Sequence, residues 1–276
     1  MQNKNFKSYL MVAGDKEKHL SKIDNLSCDV AMINLEDGVF DKIAALELLC
    51  KKFSASGFRF QNKYVVVRIN PLDETGCNEI KILNKLKPHA IRIPKIKTID
   101  DIALALKLID EEVEVHLSIE TKEAFLNLSK LKLDERVTTV YLGILDLLES
   151  LELPQSLLKL ENPMIDYILS RFLVESKIAG FKPIFFTFQD YKNTQEFDLW
   201  CQKAKNIGYT ASSCISPSQV EIVNRVFAND EEELEKAKYI VKIFEENRKN
   251  GLTGFIDERF GFIDEPIYKN AKQILK

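Results

Sequence analysis

One pattern constrains this chain more than any other: a short apolar, β-branched run stops on a charged side chain, and a helix-forming segment follows. Between residues 113 and 148 the pattern occurs twice in succession. Val-Glu-Val-His-Leu-Ser-Ile at 113–119 alternates as a strand, stops on Glu120, and gives way to a helix starting at Thr121. A second strand, Val137 to Leu142, meets Gly143 and then Asp146. Parallel strands joined by a crossover helix end at one edge of the sheet. Both acids therefore project from the carboxyl edge, where α/β folds bind ligands. Two converging carboxylates suit a hard divalent cation such as Mg2+. They fit two solvated loop acids as well, and spacing alone does not separate the readings.

The same unit recurs along the chain. Residues 8–13 form an apolar run before Gly14 and Asp15, with Asp15 placed to cap a lysine-rich helix. Residues 29–35 end on Glu36 and Asp37, and the helix at 42–53 sets Ile43, Leu46, Leu49 and Cys50 on one face. Residues 63–69 make a strand with Arg68 near its end, closed by Asn70 and Pro71. A charge so placed needs a partner. Residues 90–93 are closed by Pro94 and Lys95, and Thr98 caps the next helix. After a helix at 163–179, apolar runs at 184–188 and 209–215 supply the last two strands, and Ser216-Pro217-Ser218-Gln219 reads as a capping box opening a helix at 220–227. Eight strand–helix units over about 250 residues favour an α/β fold of the (β/α)8 TIM-barrel type over an open doubly wound sheet.

The barrel is expected over 1–228, with a C-terminal helical extension and docking tail over 229–276. Asn229 is placed to cap a helix with an acidic first turn and a basic last turn. Its stripe is Leu234, Ala237, Val241 and Phe244, and the tail beyond is apolar and punctuated by glycines.

Composition removes several classes. Lys and Arg number 39 against 42 Asp and Glu, a net charge of −3 with no basic stripe, so no nucleic-acid partner is expected. Five dispersed cysteines, an odd number without a C-x-x-C pair, indicate neither a disulfide framework nor a zinc knuckle and point to a reducing cytoplasm. The apolar run in residues 1–14 is too short for a signal peptide, and no stretch approaches the ~20 apolar residues of a membrane span. Gly-rich phosphate loops and the G-x-S-x-G elbow are absent, and His19, His89 and His116 show no ligand spacing. Acids and an arginine remain.

Those residues occur in an order that resembles the citrate lyase β-subunit and malyl-CoA lyase group, related to the HpcH/HpaI aldolases. Ile-Asn-Leu-Glu-Asp-Gly-Val at 33–39 is similar to that family's L-E-D-x-V. Val-Arg-Ile-Asn-Pro at 67–71 is similar to its arginine strand, and Ile-Pro-Lys at 93–95 to its P-K turn. Ile-Glu-Thr at 119–121 and Leu-Gly-Ile-Leu-Asp-Leu at 142–147 resemble its magnesium-ligand motifs. The resemblance implies Glu120 and Asp146 as ligands of Mg2+, a bound 2-oxo acid, and a substrate pocket formed by Lys7, Arg68, Asn70, Pro94, Lys95 and Gly143. It also implies a homotrimer or hexamer whose Asp264 closes over a neighbouring site as general base. Asp264-Glu265-Pro266 equally reads as a helix start. Three positions depart from the family: Lys7-Ser8 stands for its arginine-serine, Asn34 for an acid, and Ser216 for a histidine.

The activity implied is Mg2+-dependent carbon–carbon cleavage of a 3-hydroxy-acyl thioester such as malyl-, citramalyl- or citryl-CoA, or its reverse. Arg68 would stabilise the enolate oxygen of the acyl fragment, with Glu36 and Asp37 orienting it. The rival reading is a drifted member that binds a 2-oxo acid and metal, or serves in assembly, without turnover.

Overall fold

The computed structural model describes residues 5–54 and 63–275; residues 1–4, part of the amino-terminal run considered above as a leader, lie outside them. The chain divides into two compact units, Met1–Phe227 and Ala228–Lys276.

In the first unit eight strands alternate with helices: β1 (Ser8–Ala13), β2 (Val30–Asn34), β3 (Tyr64–Arg68), β4 (Ala90–Ile93), β5 (Glu114–Ile119), β6 (Val137–Leu142), β7 (Lys182–Ile184) and β8 (Ser212–Cys214). All neighbours are parallel, in the order β7-β6-β5-β4-β3-β2-β1-β8. Phe185 closes the ring: its N–H donates to Ala211 O (3.0 Å) and its carbonyl accepts from Ser213 N–H (3.1 Å). This is a (β/α)8 barrel.

The intervening helices are α1 (Glu17–Leu20), α2 (Lys42–Phe53), α3 (Cys77–Leu86), α4 (Ile99–Leu108), α5 (Lys122–Leu126), α6 (Ile144–Ser150), α7 (Pro163–Ala179), α8 (Thr194–Ile207) and α9 (Pro217–Val226). Outward-facing strand residues such as Val65, Val67, Ile91 and Leu117 join helix residues in the main core, while Tyr9, Val30, Met32, Val66, Ala90 and Tyr141 fill the barrel interior. Strand period two thus sorts each strand into a helix-facing and a lumen-facing set.

Several local expectations are corrected. β7 lies at Lys182–Ile184 rather than 184–188, because Phe185, Phe186 and Phe188 are buried against the α8 side, Phe186 edge-on to Trp200 at 5.2 Å. Their apolarity marks burial, not ladder pairing. β8 is likewise shorter than 209–215. Helix α2 buries Ala45, Leu49 and Phe53, leaving Ile43 71% exposed. Ile43 is two residues from Ala45, about 200° around the helix, and so faces away. Asp15 does not cap α1; Lys16 occupies that position and Asp15 pairs with it at 2.8 Å. Ser216 does cap α9, but Gln219 reaches back to Ile215 N–H (2.8 Å) rather than to Ser216 N–H.

The second unit comprises α10 (Glu231–Lys249), a hairpin of β9 (Gly254–Asp257) and β10 (Gly261–Asp264), and α11 (Glu265–Ile274). Asp230, not Asn229, caps α10, accepting from Glu232 N–H at 2.9 Å. The segment expected as a docking tail builds a small core of its own. Ile263 is buried with Ala237, Ile240 and Phe244; Phe255 and Phe260 pack against them, and Tyr268 stacks on Phe244 at 4.4 Å. Hairpin partners Ile256 and Phe262 point to solvent. Among the described residues no helix is long and apolar enough to cross a membrane.

Candidate active site

The acids found in sequence do gather at the carboxyl edge of the barrel. Each is delivered by a strand end, the short link after it or the first turn of the helix that follows. β5 ends at Ile119 and Thr121 caps α5 by accepting from Ala124 N–H, so Glu120 is the single residue between them. Asp146 lies in the first turn of α6. Glu36 and Asp37 follow β2, Arg68 ends β3, and Lys95 follows β4 by two residues.

Arg68 is held through three different nitrogens. Nε donates to Asn34 Oδ1 (2.7 Å), Nη2 to the carbonyl of Asp37 (3.3 Å), and Nη1 lies 2.9 Å from Glu36 Oε2. Asn34 also ties the loop by donating from Nδ2 to Asp37 O (2.7 Å) and accepting from Glu36 N–H (3.2 Å). The neutral residue at 34 is thus built into the arginine clamp. Asp37 orients Arg68 by its main chain, while its carboxylate turns to Lys95 Nζ at 3.8 Å.

Glu36 is 1% exposed, with Arg68 Nη1 (2.9 Å) at its Oε2 and Lys95 Nζ (3.5 Å) at its Oε1. Burial pushes its carboxyl above the usual range, Arg68 pulls it back, and Glu120 and Asp37 push it up again. Asp146 is also raised, first by desolvation and then by the charges of Asp37 and Glu36. For Lys95, desolvation acts downward, yet Asp37, Glu36 and Glu120 together raise it.

Glu120 is buried. Its Oε2 accepts from Lys95 N–H (3.1 Å), and its Oε1 lies 3.6 Å from Arg92 Nη2. Lys95 adopts a left-handed backbone (φ 51°), an uncommon conformation for a residue with a side chain, and this turn aims its N–H at the acid. Glu120, Asp146, Lys95, Pro71, Asp73 and Glu149 line one cavity of about 500 Å³.

Other expected site residues have structural engagements of their own. Lys7 precedes β1 and sits at the amino edge, a six-residue strand away from the acids, or about 20 Å. Its N–H donates to Asp29 Oδ2 (2.7 Å). Asn70 is fully buried: Nδ2 donates to Glu79 Oε1 (2.6 Å) and Leu35 O (2.9 Å), so it secures the loop after β3. Pro94 is buried beneath the turn that Lys95 completes. Gly143 makes room for Glu120. Ser216 is engaged as the α9 cap, and Asp264 caps α11 in the second unit, accepting from Ile267 N–H at 3.3 Å.

Arg92 and Glu79 escaped the sequence reading. In Ala-Ile-Arg-Ile the arginine is next to last in its strand, as Arg68 is in the run 63–69, and shares the lumen-facing set with Ala90. Burial, then the neighbouring Arg68 charge, brings the Arg92 guanidinium down to about 10.

Among the described residues no three His, Cys, Asp or Glu side chains converge as a ready-made metal site. Glu120 and Asp146 are nevertheless an all-oxygen pair on one cavity, and crowding with Glu36 and Asp37 favours an added cation there. This donor set fits a hard ion that takes one or two carboxylates and fills its other positions with water and substrate.

A family model described as HpcH/HpaI aldolase/citrate lyase matches residues 7–217. The chain is 26% identical over 249 residues to a (3S)-malyl-CoA thioesterase of Cereibacter sphaeroides, covering 89% of this chain and 85% of that protein. It is 24% identical over 284 residues to citrate lyase subunit beta of Haemophilus influenzae, covering 98% and 96%. Protein CitE from Mycobacterium tuberculosis, solved with magnesium, acetoacetate and coenzyme A, aligns with a TM-score of 0.78 at 19% identity over 98% of this chain and 97% of that one. That structural likeness establishes a shared fold.

Proposed function

Because the chain belongs to the HpcH/HpaI aldolase/citrate lyase family, we propose that it is a carbon–carbon lyase cleaving a 3-hydroxy-acyl thioester to a 2-oxo acid and an acyl thioester, or catalysing the reverse. The observation that carries this reading is the pair of buried Glu36 and half-buried Arg68 (2.9 Å) beside Glu120 at the carboxyl edge of the barrel. When the bond between the two fragments breaks, negative charge collects on the oxygen of the departing thioester enolate. A guanidinium already fixed by Asn34, Glu36 and Asp37 stabilises that charge without reorganising. Glu120 and Asp146 would hold Mg2+, which when bound supplies a Lewis acid and a template for a 2-oxo acid. Lys95 adds a cation at the rim for the acid's carboxylate.

Malyl-, citramalyl- and citryl-CoA are the proposed substrates. The proposed assembly is a homotrimer or hexamer in which Asp264 of one chain serves another's site. There it takes a proton from the acyl methyl in the condensation direction and returns one in cleavage.

The test is turnover of the three thioesters with Mg2+ titrated in, identifying products. Formation of a 2-oxo acid and a shortened acyl-CoA is expected. Binding of oxaloacetate, glyoxylate or pyruvate with no turnover of any thioester would mean a binding or assembly subunit instead. A second reading, thioester hydrolysis, is favoured by the 26% identity to a malyl-CoA thioesterase; release of free CoA and an intact hydroxy acid would identify it.

A further inference from the structure

The chemistry proposed above gives no role to Arg92. Its side chain is enclosed in the barrel interior at 4% exposure. Nε donates to Ser118 Oγ (2.8 Å), Nη1 to Met32 Sδ (3.2 Å), and the guanidinium lies 4.1 Å over the Tyr141 ring. Its one acidic partner is Glu120, at 3.6 Å, and among the described residues it is the only cation within ion-pair distance of that acid. Losing one partner of a buried ion pair leaves the other's charge uncompensated, so Arg92 and Glu120 are tied energetically as well as in space.

Glu120 does not need Arg92 for its aim. Its Oε2 accepts from Lys95 N–H at 3.1 Å, and its side chain lies against Gly143. What Arg92 contributes is charge. Glu36 faces Arg68 and Lys95, and Asp37 faces Lys95, so Arg92 is the cation that offsets Glu120 at close range. A divalent ion bound at Glu120 is repelled by that guanidinium.

We propose that Arg92 is an internal counter-ion to Glu120 that keeps the bare two-carboxylate site weak for divalent cations, so that the cation is held firmly only together with an anionic chelating acid. This rests on the metal reading above. It makes Arg92 a positioning residue for charge, acting through Glu120, and it assigns the arriving acid part of the binding energy for the ion. Each partner then tightens the other, as thermodynamic linkage requires.

The probe is Mn2+ binding to the full-length protein, read from the electron paramagnetic resonance of free and bound ion, with and without oxalate as a chelating dianion that cannot be cleaved. In the wild type, oxalate should tighten Mn2+ by at least about 10-fold. Arg92→Met should tighten Mn2+ in the absence of oxalate by about 10-fold or more, because a nearby like charge is removed. Arg92→Lys, which keeps the charge, should stay within about 3-fold of wild type. Unchanged or weaker Mn2+ binding by a folded Arg92→Met protein overturns the proposal, as does tightening by Arg92→Lys equal to that of the methionine variant. If Arg92→Met does not fold, Arg92→Gln, which keeps polar groups without the charge, is read in its place: tightening of Mn2+ supports the counter-ion role, and unchanged or weaker binding overturns it. Failure of the wild type to bind Mn2+ under either condition refutes the metal reading itself.

Discussion

Gly143 and Glu120 are so close that a Cβ on the glycine would fall 2.2 Å from Glu120 Cγ and 3.0 Å from its Oε1. The glycine follows β6 and caps α6, whose first turn carries Asp146, so one small residue sets the separation of both carboxylate-bearing segments. Gly143→Ala should therefore push Glu120 off the Lys95 N–H and destabilise the fold by about 1–3 kcal/mol. It should also weaken Mg2+ binding at least about 10-fold, measured by calorimetry alongside thermal unfolding. An alanine variant that binds Mg2+ as the wild type does would show that Glu120 is not a ligand.

Arg68 uses its whole fork, with Nε, Nη1 and Nη2 each facing a different group. A lysine presents a point charge and can replace only one of these contacts. Arg68→Lys should bind a 2-oxo acid within a few-fold of wild type and lose about 100-fold in kcat. Steady-state kinetics with a separate binding titration distinguishes the two effects, and full turnover by the variant would remove Arg68 from the chemistry.

Strand direction decides how far the sequence could be read. Glu36, Arg68, Lys95, Glu120 and Asp146 are all found where a strand gives out, and the parallel order brings them to one edge. The same rule puts Lys7 at the opposite edge, because it precedes its strand; motif order alone concealed this. Arg92 stands as near the end of its run as Arg68 does, so the same rule reaches it; its place in the lumen-facing set shows only in the packed barrel. Residues 254–264 contain Gly-Phe-Ile-Asp twice, three residues apart, which is a hairpin spacing. On α2 the expected face holds for Leu46, Leu49 and Cys50, which pack on the core, and fails only for Ile43 in the first turn.

Lys182, at the amino edge, offers a pH test remote from the acids. Its Nζ donates to Phe6 O (2.7 Å) and lies 5.7 Å from the ring centres of both Phe6 and Tyr9. Burial pulls its ammonium down to about 8, Asp29 offsetting part of this. The unfolded chain keeps that proton to higher pH, so between about pH 8 and 10.5 it binds more protons than the folded state, and folding is favoured as pH rises. Relative to Lys182→Met, the wild type should gain about 2–3 kcal/mol across that window, read from denaturant unfolding at several pH values. A pH-independent difference would mean the lysine is not desolvated.

Asp264 presents the sharpest choice between a structural and a catalytic role. It ends β10, caps α11 through Ile267 N–H at 3.3 Å, and its N1 and N2 neighbours, Glu265 and Pro266, are ordinary helix-start residues. As a cap alone it needs no acidity, because asparagine caps a helix about as well as aspartate. Asp264→Asn should therefore leave thermal unfolding nearly unchanged and yet abolish turnover if the carboxylate moves a proton. Whether it does so within its own chain is answered by mixing. Asp264→Asn and Arg68→Ala proteins, each inactive, are unfolded together and reassembled so that subunits exchange. If Asp264 serves a neighbouring barrel, mixed oligomers contain sites combining an intact Asp264 from one chain with an intact Arg68 from the other, and part of the activity returns. If it serves its own barrel, every site carries one defect and none returns. Absence of recovery after subunit exchange has been shown by mass spectrometry would thus confine Asp264 to its own chain, and full activity of Asp264→Asn alone would reduce it to a helix cap.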